Sequence, residues 1–272
     1  MTHRYLSACF LLCSLCLPAQ AREGVEVGES SRLARLVPAA QVEASAQQQY
    51  HQLLEQAAAK RALAPADHPQ LVRLRRMAER IIPHSMEWNP RARQWQWEIN
   101  LIASNQINAF CMPGGKIVFY TGLLEQLKLT DDEAAMVMGH EIAHALREHA
   151  RERMAKQAAT RVGAGLISSL LGLGDLGQTV TGYGAQLLAL KFSREDESEA
   201  DLVGMEIAAR AGYNPRAGVS LWQKMSATGR SAPPQWLSTH PAGGTRIAEI
   251  EANLPRVLPL YERAPKPIPY RQ

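Results

Sequence analysis

Apolar and polar positions along this chain follow two periods. Between Val42 and Arg61 apolar residues recur at helical spacing in a stretch rich in Gln, Ala and Glu, which predicts a long helix. Pro65 and Pro69 bracket a loop. A second helix runs from Pro69 to about Ile82, with Leu71, Leu74, Met77 and Ile81 or Ile82 on one face, and Pro83 stops it. The period then drops to two. Trp95, Trp97 and Ile99 alternate within QWQWEINLIAS, the pattern of a strand. Asn105 to Asn108 turns, and Pro113-Gly114-Gly115 is a sharp loop. KIVFYT, Lys116 to Thr121, predicts a short strand before a brief helix over 122–127.

Thr130-Asp131-Asp132-Glu133 is a capping box, with three acids suited to the positive end of a helix dipole; the helix it launches is expected to reach about Lys156. Residues 162–190 are apolar and rich in glycine. They read as two short packed helices, the alternative being a flap that makes peripheral membrane contact. Asp175 and the glycines interrupt the run, so it does not span a bilayer. Ser193 to Ala211 is helical, Gly212-Tyr213-Asn214-Pro215 opens another helix to about Met225, and Pro233-Pro234 is loop. A short last helix covers 245–253, and from Pro255 the chain reads as an extended or disordered proline-rich tail.

At the start, His3 and Arg4 precede an apolar run from Tyr5 to Leu17 and then Ala19-Gln20-Ala21, the form of a signal peptide cut after Ala21. It predicts export to the periplasm, with association at the outer membrane left open. Leu6-Ser7-Ala8-Cys9 has the form of a lipobox but sits too near the start, so lipidation at Cys9 is set aside. Cleavage would leave Cys111 as the lone cysteine and no internal disulfide. The organisation expected is a signal peptide at 1–21, one domain at 22–254 with a helical lead-in, and a tail at 255–272. With 272 residues and 46% apolar residues the chain can build a sizeable core, and a scattered net charge of +4 excludes nucleic acid.

The chemistry concentrates in MVMGHEIAHALREH, Met136 to His149. His140 and His144 are four apart and share a helix face, so both can meet one ion, while Glu141 beside them can hold a water. His149 follows His140 by nine residues, about half a turn out of phase. It is expected to point away from the metal, as an ordinary surface histidine or one behind the ligands. Candidates for a third ligand are His149, His240 and the acids of SREDESEAD, Ser193 to Asp201. Spacing does not choose among the acids. Glu197 and Asp201 share a face, which allows one ligand and one partner for a ligand histidine's outer nitrogen; Glu195 and Glu199 lie off that face.

HEIAH followed by ESEAD resembles the M48 zinc metallopeptidases, whose pattern is H-E-x-x-H and a later E-x-x-x-D. The likeness runs from about Asn105 to Arg246, and the lack of spanning segments around the motif is similar to the soluble periplasmic, BepA/LoiP-like branch. The resemblance implies an α+β fold, a mainly helical zincin-like metallopeptidase with a small β-sheet beside the active-site helix. It implies one Zn2+ per chain on His140, His144 and Glu197, Glu141 as base, and Asp201 behind a ligand. His240 and Arg246, in HPAGGTR, would lie near the metal. There His240 either stabilises an oxyanion or fills the fourth metal position. An extended peptide is expected along Lys116 to Thr121 as an edge strand, with Gly114, Gly115, Lys116, Ile117 and Val118 binding substrate. The implied activity is endopeptidase cleavage of extended or misfolded cell-envelope proteins. The alternative is a chaperone or outer-membrane assembly factor with little turnover, partnered by outer-membrane assembly components.

Overall fold

The structure is a computed structural model, and it describes residues 22–169, 187, 190–228, 235–241 and 244–268. The segment read as a signal peptide, with Cys9, most of the glycine-rich segment and Pro233-Pro234, lies outside the described residues.

Helix α1 (Ala39–Ala59) buries Val42, Ala46, Tyr50 and Ala57 along one face. In α2 (Pro69–Ile81), Pro69 sits in the first turn, where its missing N–H costs nothing, and His68 caps by accepting from Gln70 N. Leu71, Leu74, Met77, Ala78 and Ile81 form its buried stripe. Trp95 and Trp97 precede the first strand instead of lying in it. They follow a short 3-10 turn at Pro90–Gln94, with their ring centres 5.3 Å apart.

Three strands form one sheet: β1 (Glu98–Ile102), β2 (Ala109–Met112) and β3 (Lys116–Tyr120). Their order is β1-β3-β2, with β1 parallel and β2 antiparallel to β3. Lys116 to Tyr120 is therefore the central strand, which corrects the edge-strand expectation. The turn at Pro113-Gly114-Gly115 puts β2 on one side of β3, and parallel pairing with β1 covers the other. Gly114 (φ 85°) and Gly115 (φ 78°) adopt left-handed backbone, and a side chain on Gly115 would strike Trp97 at 2.7 Å. The chain thus folds β3 straight back onto β2, leaving β2 as the edge beside the next helices.

Helix α3 (Thr121–Gln126) leads to α4 (Asp131–Leu146), which carries the H-E-x-x-H motif. Thr130 Oγ1 accepts from Glu133 N at 3.2 Å and Glu133 accepts from Thr130 N at 2.9 Å, closing the capping box. Every α4 residue from Glu133 to Leu146 is buried, so this helix is the spine of the domain. It stops earlier than expected. Glu148 takes a left-handed conformation (φ 59°), and a separate helix, α5 (His149–Ser169), starts in a new direction.

Helix α6 (Arg194–Arg210) opens with a second capping box, Ser193 with Asp196. It crosses α4 where two glycines meet. A Cβ on Gly139 would lie 2.4 Å from Gly204 O, and one on Gly204 would lie 2.5 Å from His140 N. The backbones therefore touch, which brings the acids of α6 up to the histidines of α4. Helices α7 (Ala217–Thr228) and α8 (Gln235–Thr239) follow.

The last helix, α9 (Arg246–Arg263), overturns the disordered-tail reading from Pro255. Pro255 and Pro259 are four apart on its exposed side, while Val257 and Leu260 are buried in the main core. That burial offsets the lost backbone hydrogen bonds. The main core joins α2, the sheet, α4, α6 and α9 through side chains such as Leu74, Phe119, Ile142, Ile207 and Ile250. Among the described residues, no helix is long and apolar enough to cross a membrane.

Candidate metal centre

Four buried side chains turn donor atoms toward one point. Among the described residues, His140, His144, Glu197 and His240 offer ligand atoms that all lie within 4.8 Å of one another. His140 Nε2 is 3.0 Å from His144 Nε2, 3.3 Å from His240 Nδ1 and 3.6 Å from a Glu197 oxygen. His144 Nε2 is 3.4 Å from Glu197 Oε1, and His240 Nδ1 is 3.0 Å from the same oxygen. Helix periodicity aligns His140 with His144, the glycine crossing delivers Glu197, and His240 follows directly on α8.

Each group is held from behind. His140 Nδ1 lies 2.9 Å from Asp201 Oδ1, and Arg246 grips Asp201 with two donors, at 2.6 and 2.7 Å. Arg246 Nη1 also donates to Glu197 Oε2 at 2.6 Å, and its guanidinium lies 3.7 Å from the centre of the Trp222 ring. His144 stacks on Phe192, with ring centres 4.0 Å apart. Glu141 accepts from Trp236 Nε1 at 2.6 Å and lies 3.6 Å from His240 Nε2. Trp236 also stacks on His240, and its backbone N–H donates to Ile107 O, tying α8 to the loop before β2.

The electrostatics fit a cation. Burial would raise the Glu197 carboxyl, but hydrogen bonds and charge from His144 and His240 outweigh it and hold Glu197 far below the usual carboxylate range. Burial likewise opposes ionisation of Asp201, and Arg246 with His140 overcomes it. Burial lowers His144 well below an ordinary imidazole, which keeps it neutral. His240 is raised despite its burial, by the charges of Glu141 and Glu197. Asp201 accepts only, so His140 carries its hydrogen on Nδ1 and aims a bare lone pair from Nε2 at the cluster. Converging lone pairs beside an ionised carboxylate are the surroundings a divalent cation satisfies.

The structure brings His140, Glu141, His144, Glu197, Asp201, His240 and Arg246 into one site. Gly114, Gly115, Lys116, Ile117 and Val118 are elsewhere. Ile117 and Val118 are fully buried, Gly114 faces Glu43 of α1, and Lys116 is bound to Gln96 O and Glu98. Beside the site, a cleft is lined instead by β2, including Ala109, Phe110 and Cys111, facing Glu141, Phe192 and His240. Burial pushes the Cys111 thiol well up, so it is no ready nucleophile.

Of the two placings expected for His149, at the surface or behind the ligands, the structure shows the second. It is 1% exposed, with Nδ1 2.9 Å from His144 Nδ1 and Nε2 2.8 Å from Glu199. It stays out of the donor cluster, as its phase suggested, and the turn at Glu148 brings it against His144. Glu195 is exposed, as its register suggested, but Glu199 reaches inward through His149. Trp236, Phe192, Gly139 and Gly204 escaped the sequence reading. Nothing in an apolar run marks which aromatic ring or glycine will face a motif far away in the chain.

The Peptidase family M48 model matches residues 70–254. The chain is 39% identical over 150 residues to mitochondrial metalloendopeptidase OMA1 of Arabidopsis thaliana, covering 55% of this chain and 30% of that one. It is 33% identical over 198 residues to the OMA1 of Schizosaccharomyces pombe, covering 71% and 56%. It is 30% identical over 174 residues to the beta-barrel assembly-enhancing protease of Escherichia coli, covering 59% and 35%. The chain spans less than two thirds of each of these relatives. The periplasmic expectation is corrected by these matches, because the likeness runs at least as strongly to mitochondrial proteins as to bacterial ones.

Proposed function

Because the chain belongs to peptidase family M48, we propose that it is a zinc-dependent endopeptidase whose ligands are His140, His144 and Glu197. The observation that carries this reading is the convergence of those donors with His240, all within 4.8 Å of one another, beside Glu141. Bound zinc supplies an electrophile that acidifies a water and polarises the scissile carbonyl. Glu141 accepts the proton from the attacking water and returns it to the departing amine. Trp236 fixes the Glu141 carboxylate by donating to one of its oxygens. Asp201 and Arg246 hold His140 and Glu197 in place.

The β2 edge is the better candidate for binding substrate. It has one strand neighbour, β3, and faces the cleft that contains Glu141 and His240. An extended peptide added there gains main-chain hydrogen bonds regardless of its sequence, which suits extended or misfolded protein segments. His240 fills the side of the donor cluster that a substrate carbonyl would need, so the arrangement reads as a closed state.

A second reading, assistance to protein assembly with little turnover, is favoured by the likeness to bacterial beta-barrel assembly-enhancing proteases. Casein digestion by the wild type, its loss in Glu141→Gln and its increase in His240→Ala would support the peptidase and the closed state. Equal digestion by wild type and Glu141→Gln would refute Glu141 as the base. Failure of both wild type and His240→Ala would favour the assembly role.

A further inference from the structure

His144 turns one nitrogen to the donor cluster and the other to a chain of groups behind it. Its Nδ1 lies 2.9 Å from Nδ1 of His149, whose Nε2 lies 2.8 Å from Glu199 Oε2. The second Glu199 oxygen accepts from Arg147 Nη2 at 2.5 Å, and that guanidinium also donates to Gly28 O. His149 is 1% exposed and Arg147 6%.

The protons can be assigned from this chain. Two ring nitrogens 2.9 Å apart share one hydrogen. If His144 offers a lone pair from Nε2 to a cation, its hydrogen is on Nδ1, so His144 donates and His149 accepts. His149 then carries its own hydrogen on Nε2, aimed at a carboxylate that only accepts. Arg147 neutralises that carboxylate. One tautomer of each ring satisfies every contact, and the ring that touches His144 has no other role in the proposed chemistry.

We infer that His149, Glu199 and Arg147 are positioning residues that fix the tautomer and ring orientation of His144 toward the metal, as Asp201 and Arg246 do for His140. The inference rests on the zinc-site reading above. Both supports draw their carboxylate from α6, Glu199 for one histidine and Asp201 for the other. Asp201 reaches its ring directly, whereas Glu199 acts through an interposed imidazole. In an unbroken helix His149 would sit roughly 140° around the axis from His144. The left-handed backbone at Glu148 turns α5 back and places His149 behind the ligand.

A side chain that merely fills the core could be replaced by Phe, and this distinguishes the two roles. The metal-free protein is titrated with zinc against a competing chelator, and folding is checked by circular dichroism. His149→Phe is expected to bind zinc about 10–100-fold more weakly, and to alter the visible spectrum of the Co2+-substituted protein. His149→Asn, whose amide oxygen can accept from His144, is expected to recover part of the loss. Glu199→Gln, on a side chain 23% exposed, should weaken binding about tenfold while remaining folded. Folded His149→Phe with zinc affinity within about twofold of wild type and an unchanged Co2+ spectrum overturns the inference. If His149→Phe does not fold, unchanged affinity in Glu199→Gln overturns it. Wild type that binds no zinc overturns both this inference and the zinc-site reading, whereas tight wild-type binding with unaffected variants overturns this inference alone.

Discussion

Replacing Gly204 by Ala sets two physical effects of opposite sign against each other. Gly204 lies inside α6, where helix propensity alone makes Ala the better residue by about 1 kcal/mol. The new Cβ, however, would sit 2.5 Å from His140 N and 2.8 Å from His140 Cα. Both obstacles are backbone and cannot rotate away, so α4 and α6 must part by roughly half an ångström or more. Overpacking of this kind costs about 1–3 kcal/mol. The expected net change is a loss of up to about 2 kcal/mol, read as a lower urea midpoint of the metal-free protein. The same displacement draws Glu197 and Asp201 away from His140 and His144, so zinc affinity should fall too. If Gly204→Ala instead raises stability by about the propensity increment and leaves zinc affinity unchanged, the helices are not in backbone contact and the reasoning fails.

Other expectations follow from single contacts. Thr130→Ala removes the acceptor for Glu133 N at the start of the spine helix and should cost about 1 kcal/mol, seen as a Tm lower by about 2–4 °C. Leu260→Ala should destabilise by about 2–5 kcal/mol, because α9 carries it into the core past both prolines; a disordered tail would give no change in the urea midpoint. Asp201 has a folded pKa below its unfolded value, so its stabilisation is present above the ordinary carboxylate range and is lost as pH falls through the folded value. Urea midpoints of metal-free wild type should therefore drop on acidification more steeply than those of Asp201→Asn.

Much of the site was legible because its chemistry is local. The capping box, the four-residue spacing of His140 and His144, and the shared face of Glu197 and Asp201 all depend on helix periodicity, and the structure has each of these local features. What was not legible depends on tertiary pairing or on backbone that no residue type announces. KIVFYT reads as a strand, but its place in the sheet depends on AFCM, four residues too short to carry a period. Of the two placings read for His149, the one behind His144 could not be singled out, because Glu148 breaks the helix without a glycine or proline to signal it. Pro255 signals a stop, yet the helix continues because the buried faces of Val257 and Leu260 outweigh two exposed prolines. Trp236 could be found only once α8 was seen packed against the motif.

The most direct measurement is zinc per chain and peptide cleavage in the same samples of wild type, Glu141→Gln and Glu197→Ala, each also carrying His240→Ala to open the site. Glu141→Gln should keep its zinc and lose cleavage by at least about 100-fold, since it removes the base and none of the ligands. Glu197→Ala should lose both metal and cleavage. Zinc retained in Glu197→Ala, or undiminished cleavage by Glu141→Gln, would contradict the assignment of ligand and base to these two carboxylates.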